Sequence, residues 1–208
     1  MQIYYFGLSS FKIQSKEADI IINPFDKKSG LTPPRGAADI VILSEKDNLL
    51  YSATSGISGD SFLINDPGEY DVKSVTVTGI PLLQGDHYVT AYLIEAEDIK
   101  ILDLAHIKEF SMKEDELEDL GEIDILILPV GGHSVMDAAS ASKVVNEIEP
   151  KIVIPSHYKT PGLTVEANEV EKFIKEMGGK SENMDKLLLK KKDLAVEGLR
   201  VACLEPLR

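Results

Sequence analysis

The chain has 208 residues, 43% of them hydrophobic and 27% charged, with 35 Asp and Glu against 22 Lys and Arg for a net charge of −13. A chain of this length buries roughly 70% of the surface its unfolded form exposes, enough for a core without disulfides, and fibrous or wholly disordered classes are excluded. The acidic balance opposes long-range attraction to phosphate backbones and anionic lipid, so neither nucleic acid nor membrane is expected as a partner.

In chain order the first half reads as strands. Ile3–Phe6 and Phe11–Gln14 flank a Gly-Leu-Ser-Ser turn, and Ala18–Ile22 stops at Asn23-Pro24 because proline cannot donate to a ladder. A Lys-, Gly- and Pro-rich loop over residues 26–36 precedes Ile40–Leu43, a run apolar on both faces and therefore a buried strand. Short strands follow at Phe62–Ile64, Ser74–Ile80, Val89–Ile94 and Ile99–Leu104, with Asp66-Pro67-Gly68 as a turn.

The second half alternates. Ser111 caps a helix through Leu120, ended by Gly121, and Ile123–Leu128 is a buried strand running into Pro129-Val130-Gly131-Gly132. Asp137–Ile148 is an amphipathic helix stopped by Pro150, and Ile152–Ile154 is a strand ending at Pro155-Ser156-His157-Tyr158. Thr164 caps a helix to Met177 ended by Gly178-Gly179, and Leu187–Leu189 with Leu199–Leu204 form a closing pair of strands. No repeat, low-complexity tract or linker divides the chain, so one domain over residues 1–208 is expected.

The single cysteine, Cys203, leaves no intramolecular disulfide, zinc ribbon or iron–sulfur site, reads as an inert core thiol, and points to the cytoplasm. Residues 1–7 carry no signal-peptide pattern, and no run of about 18 apolar residues suggests a membrane span. Lys190-Lys191-Lys192 reads as a solvated face. Ser9 and Ser10 lie outside any nucleophile elbow and read as turn residues. Only four histidines occur, His87, His106, His133 and His157, and they limit the chemistry available.

Six motifs stand in register: Gly7-Leu8-Ser9-Ser10-Phe11, Ile22-Asn23-Pro24-Phe25, Asp39–Ser44, Pro67-Gly68-Glu69-Tyr70, Leu128–Gly132 and Ile154–Tyr158. In order and spacing they resemble the metallo-β-lactamase superfamily, in particular its branch of small predicted metal-dependent hydrolases. The resemblance implies a four-layer αββα sandwich of two mixed sheets with outer helices. It also implies two zinc ions at the strand ends between the sheets, where metal-bound water becomes a nucleophile at neutral pH.

The ligand positions depart from that pattern. Where the resemblance implies HxHxDH, the chain reads Glu45-Lys46-Asp47-Asn48-Leu49-Leu50, with Glu45 and Asp47 at the first two histidines and Leu49 and Leu50 at the second site. A leucine has no lone pair to give a metal. The central His-Leu-Gly-Asp reads Asp103-Leu104-Ala105-His106, the early histidine is Leu8, and the Asp before Pro-Phe is Asn23. Only the final histidine is in register, as His157. Glu45, Asp47 and Asp103 thus put negative charge where neutral imidazoles are implied.

Two functions follow as expectations. One is a family member that has lost most dinuclear ligands and acts as a non-catalytic binding or regulatory protein, using its groove for a small-molecule ligand or a surface for a homo-oligomer. The other is a hydrolase of a small molecule, of the phosphorylated-sugar or lactone type, with an atypical mononuclear site. Its metal would be zinc, iron or manganese, held by His157, His106, Asp47, Glu45 and Asp103, with His106 and Asp103 as acid/base candidates. The residues themselves lead to no cofactor or at most this one metal. Leu8, Asn23, Gly131, Gly132, His133 and Tyr158 are expected to line the groove, with Gly131 and Gly132 allowing close backbone approach.

Overall fold

The computed structural model describes residues 1–195 and 198–207. Strands β1 (Gln2–Gly7), β2 (Ser10–Gln14) and β3 (Asp19–Ile22) form an antiparallel meander, which β4 (Gly36–Ala37) and β5 (Ile40–Ile42) follow. Next come β6 (Ile57–Ser58), β7 (Phe62–Ile64), β8 (Gly68–Val72), the long hairpin β9 (Val75–Gln84) and β10 (His87–Ala96), and β11 (Ile99–Asp103). The remainder is α1 (Glu114–Leu120), β12 (Ile125–Pro129), α2 (Ala138–Ile148), β13 (Ile152–Ser156), α3 (Glu171–Glu176), β14 (Glu182–Met184), β15 (Leu187–Leu188) and β16 (Arg200–Leu204).

Two mixed sheets result, ordered β15-β1-β2-β3-β5-β7 and β14-β16-β13-β12-β11-β10-β9-β8, with β4 and β6 paired separately. Period-2 alternation sorts the side chains. Ile20, Ile22, Ile40 and Ile42 point into the core between the sheets, against Ile101, Ile125 and Ile127, while Ile21 and Val41 point outward onto Ala38, Leu43 and Ile57. Each such fully buried side chain contributes roughly 1.5–3 kcal/mol before conformational entropy is subtracted. Every residue of β12 is buried because α2 covers its other face through Ala141, Val144 and Val145. Asp137 starts α2 by accepting a hydrogen bond from the Ser140 N–H.

The structure is the expected α/β sandwich. Among the described residues all three α-helices follow β11, and the outer face of the first sheet is covered by the β4–β6 pair and its loops rather than by helix. The helix expected from Thr164 is confined to α3, because the upstream backbone is spent elsewhere: Thr164 N–H donates to Ser29 O and Asn168 N–H to Gly131 O. Likewise α1 begins at Glu114, and Glu116 accepts the Lys113 N–H, leaving Ser111 outside. Leu187–Leu188 and Arg200–Leu204 do not pair with each other. The former joins β1 in the first sheet, and the latter lies between β13 and β14 in the second.

Candidate functional site

The ends of β1, β3, β5, β11 and β13 converge on one spot. Tight backbone links draw them together: His157 N–H donates to Leu8 O at 2.7 Å, and Asn23 N–H to Ile42 O at 2.8 Å. Asn23 then clasps Ser44, accepting its N–H at Oδ1 (2.8 Å) and donating from Nδ2 to its hydroxyl (3.1 Å). Four of these junction residues, Leu8 (φ 52°), Asn23 (φ 46°), Ala105 (φ 53°) and His157 (φ 52°), are left-handed although none is glycine. Such a conformation costs of order 1–3 kcal/mol per residue and clusters where geometry serves function. Other left-handed residues, Lys73, Ser74, Glu97, Asp98, His133 and Glu149, lie in turns and loops elsewhere.

At the centre stands Tyr51, a residue that motif reading passed over. Its hydroxyl lies 2.8 Å from His157 Nε2, and its ring stacks on His106 with centroids 3.6 Å apart and planes 9° apart. Leu8 and Phe25 pack against it, with Leu31, Leu50, Leu163 and Val165 around them. His106 Nε2 is in turn 3.0 Å from Glu45 Oε2, which also accepts from Asn48 Nδ2 at 2.9 Å. The signal in the sequence was the apolar run Leu49-Leu50-Tyr51 at the place where polar ligands were implied.

Protonation states follow from burial. Desolvation takes His157 down to about 3 and also lowers His106, so both imidazoles are neutral at pH 7. Burial raises the Tyr51 phenol. With Tyr51 donating to Nε2, His157 carries its proton on Nδ1, and one buried polar atom stays unpartnered; the opposite assignment would strand two. The hydrogen bond to His106 holds the Glu45 carboxylate below its usual range, against the opposing effect of burial. Asp103 accepts from Ala105 N–H at 3.0 Å, but full burial still pushes it up to about 7. Its Oδ2, together with Nδ1 of His106 and of His157 and the Ser156 hydroxyl, has no hydrogen-bond partner.

A cavity of about 590 Å³ opens beside this cluster, lined by Glu45, Asn48, Tyr51, His106 and the β9–β10 turn residues Gln84 and His87 among others. The structure therefore brings Glu45, His106 and His157 together through Tyr51, with Leu8 packed behind. It does not bring in Asp47, which is exposed and outside the cavity lining. His133 lies at the surface, 3.6 Å from Glu166, and Tyr158 faces a different cavity of about 460 Å³ while its hydroxyl donates to Leu204 O. Gly131 acts indirectly: a Cβ there would stand 1.9 Å from the carbonyl oxygen of His157, so only glycine lets the loop after β12 close on it. Gly132 has φ +67° and packs beside Asn168.

A bound metal ion needs several converging protein ligands. Among the described residues no group of three or more His, Cys, Asp or Glu side chains is placed to hold one. A zinc ion sits ~2.0–2.1 Å from an imidazole nitrogen. In front of His157 Nε2 that space is taken by the Tyr51 hydroxyl, and His106 Nε2 is engaged with Glu45 Oε2. Leu49 and Leu50 offer no second set of ligands. The residues present do not fit a two-metal centre.

A family model described as the beta-lactamase superfamily domain matches residues 2–157, and the chain belongs to that superfamily. A Thermotoga maritima protein of the metallo-β-lactamase superfamily superposes with a TM-score of 0.82 at 27% identity, over 98% of this chain and 99% of that one. A relative from Alkaliphilus metalliredigens, named a UPF0173 metal-dependent hydrolase, is 25% identical over 213 residues, 84% of this chain and 93% of the relative. A relative of the same name from Thermococcus onnurineus is 29% identical over 148 residues, covering 67% of this chain and 65% of its own length. Among the described residues no helix is long and apolar enough to cross a membrane.

Proposed function

We propose that this chain is a metal-independent member of its superfamily that has lost most of the dinuclear ligands and serves as a binding or regulatory protein, with a small-molecule ligand entering the cavity beside Tyr51. The observation that carries this reading is the Tyr51 phenol lodged between His106 and His157. Inner-shell replacements at the ligand positions weaken metal affinity beyond the 10 to 100-fold that outer-shell changes already cost.

A second reading is supported by the relatives' names and by the unpartnered atoms of Asp103, His106 and His157. It is a small-molecule hydrolase, of the phosphorylated-sugar or lactone type, with one divalent metal. Elemental analysis of protein purified without added metal, paired with zinc titration, separates the two. Stoichiometric metal that is abolished by His157→Ala with His106→Ala overturns the metal-independent reading. No binding at millimolar zinc, and no turnover of phosphorylated-sugar and lactone substrates, supports it.

A further inference from the structure

We propose that a second cavity, at the ends of the parallel strands β13, β14 and β16, is a binding site for a small organic cation, an ammonium or guanidinium group carried on an apolar body. The cavity holds about 460 Å³ and shares no lining residue with the one beside Tyr51, so the two sites stand or fall separately. Its volume lies in the roughly 300–1,000 Å³ range of small-molecule sites, and the space beyond strand ends is where α/β sheets present ligands. Tyr158, Thr160, Cys203 and Leu204 form a buried floor, with Phe6 and Leu31 as half-buried walls. The rim carries Glu169, Glu171 and Glu205, all exposed.

Charge and hydrogen-bonding chemistry select the occupant. Lys159 Nζ is committed to Glu169 at 2.7 Å, whereas Glu171 and Glu205 form no ion pair among the described residues. Their field reaches the floor: burial foremost raises the Tyr158 phenol and the Cys203 thiol, with Glu205 and Glu171 adding to the first and Glu171 to the second. Tyr158 spends its proton on Leu204 O at 2.8 Å, so its oxygen is left with acceptor lone pairs. Thr160 is 6% exposed, and its hydroxyl has no hydrogen-bond partner among the described residues. Most buried polar atoms are partnered, and a hydroxyl kept without one in a cavity lining is a place for a ligand's N–H. Acceptors thus outnumber free donors around the cavity, which favours a donor-rich cation over a phosphate or a carboxylate. The aromatic rings of Phe6 and Tyr158 suit both parts of such a ligand, its hydrocarbon and its charge.

The chain's single cysteine makes the test specific, because Cys203 lies in the cavity lining. The parent protein is titrated calorimetrically with phenethylamine, and alkylation of Cys203 by iodoacetamide at about pH 8.5 is timed with and without the amine. Saturable binding that slows alkylation is expected, while phenethyl alcohol and hydrocinnamate, the neutral and anionic counterparts, do neither at the same concentration. Glu171→Gln with Glu205→Gln is expected to weaken binding about 10-fold. Asp60→Asn with Asp71→Asn removes the same charge at exposed positions outside the lining and should leave binding unchanged. Thr160→Val takes away a hydroxyl with no partner to lose, so it should melt at the parental temperature yet bind more weakly. Equal binding of the alcohol, an affinity indifferent to the two glutamates, or binding that leaves the alkylation rate unchanged overturns the proposal, as does the absence of heat up to about 10 mM amine. Should Cys203 resist alkylation altogether, calorimetry of the glutamate and Thr160 variants decides.

Discussion

The Ser9 hydroxyl donates to the carbonyl oxygen of Ala105 at 2.9 Å, tying the turn between β1 and β2 to the turn after β11 on the opposite sheet. Ser9 is fully buried, and Ala105 is left-handed at φ 53°. Ser9→Ala leaves a buried carbonyl without this partner and is expected to cost about 1–2 kcal/mol in urea denaturation. Ala105→Gly removes the steric penalty of the left-handed backbone, roughly 1–2 kcal/mol, against a chain-entropy loss of about 0.5–1 kcal/mol, and should be neutral to slightly stabilising. A Ser9→Ala protein of parental stability would show that the link bears no load.

Asp103 makes the stability pH-dependent in an unusual direction. Its carboxyl, raised to about 7 by burial against an unfolded value near 3.8, is protonated in the folded state over that interval while the unfolded state releases its proton. The folded state binds more protons there, so this contribution is full below pH about 3.8 and is lost as the pH rises through about 7. Asp103→Asn abolishes the loss. Its stability relative to the parent should climb between pH 4.5 and 7.5, and a constant offset in denaturant midpoints across that range would refute the assignment.

His157 works with the opposite sign. Lowered to about 3 by burial, it stays neutral when folded and takes up a proton on unfolding, so stability from this group is present above about 6.5 and lost as the pH falls towards 3. His157→Gln should therefore be less sensitive to acid than the parent between pH 6.5 and 4, even though it is less stable at pH 7. Parallel pH profiles for the two proteins would contradict this.

Gly131→Ala drives a methyl group into the His157 carbonyl oxygen, which is backbone and cannot swing aside. A loss of about 3 kcal/mol is expected from forced backbone shifts. The same displacement should disturb the Tyr51–His157 contact, visible as a change in tyrosine fluorescence before unfolding begins. A native-like melting curve would show that the loop has room to yield.

Asp124 is a buried hub, its carboxylate 2.7 Å from Lys151 Nζ and 2.8 Å from Lys191 Nζ, with Lys100 N–H at 3.0 Å. Burial pushes its pKa up, but the two lysines and the Lys100 amide outweigh that and hold it below the usual range. Lys151→Met or Lys191→Met alone leaves one ammonium in place and should cost less than about 1 kcal/mol, whereas both together strand the charge and should cost about 3 kcal/mol. Additive single losses in a double-mutant cycle would mean that the lysines act independently.

The strands were readable from sequence because β5, β12 and β13 are covered on both faces and so appear as unbroken apolar runs, Ile40–Ile42, Ile125–Pro129 and Ile152–Ser156. Partners of β15 and β16 were not, since Leu187 pairs with Ile3 across nearly the whole chain and no local pattern encodes that. Thr164 has a cap's chemistry, but its hydroxyl donates to Lys28 O instead. At the site, Glu45 and His106 could be singled out from their motif positions, and the structure brings the two together. The phenol that fills the space between the imidazoles could not, because a tyrosine in a loop has no spacing rule and its role depends on which strand ends the fold brings together.

The pairing of β1 with β15, and of Leu207 N–H with Tyr5 O, also sets an order of assembly. During synthesis β1 finds one neighbour at once in β2 but must wait for the other until about 180 further residues have been made. During synthesis the flank of β1 facing Leu187 stays open, a free edge to which another nascent chain can add. Early association of this kind would be countered by the many acidic side chains of the chain, whose mutual repulsion then acts as a safeguard during biosynthesis rather than as a property of the finished site.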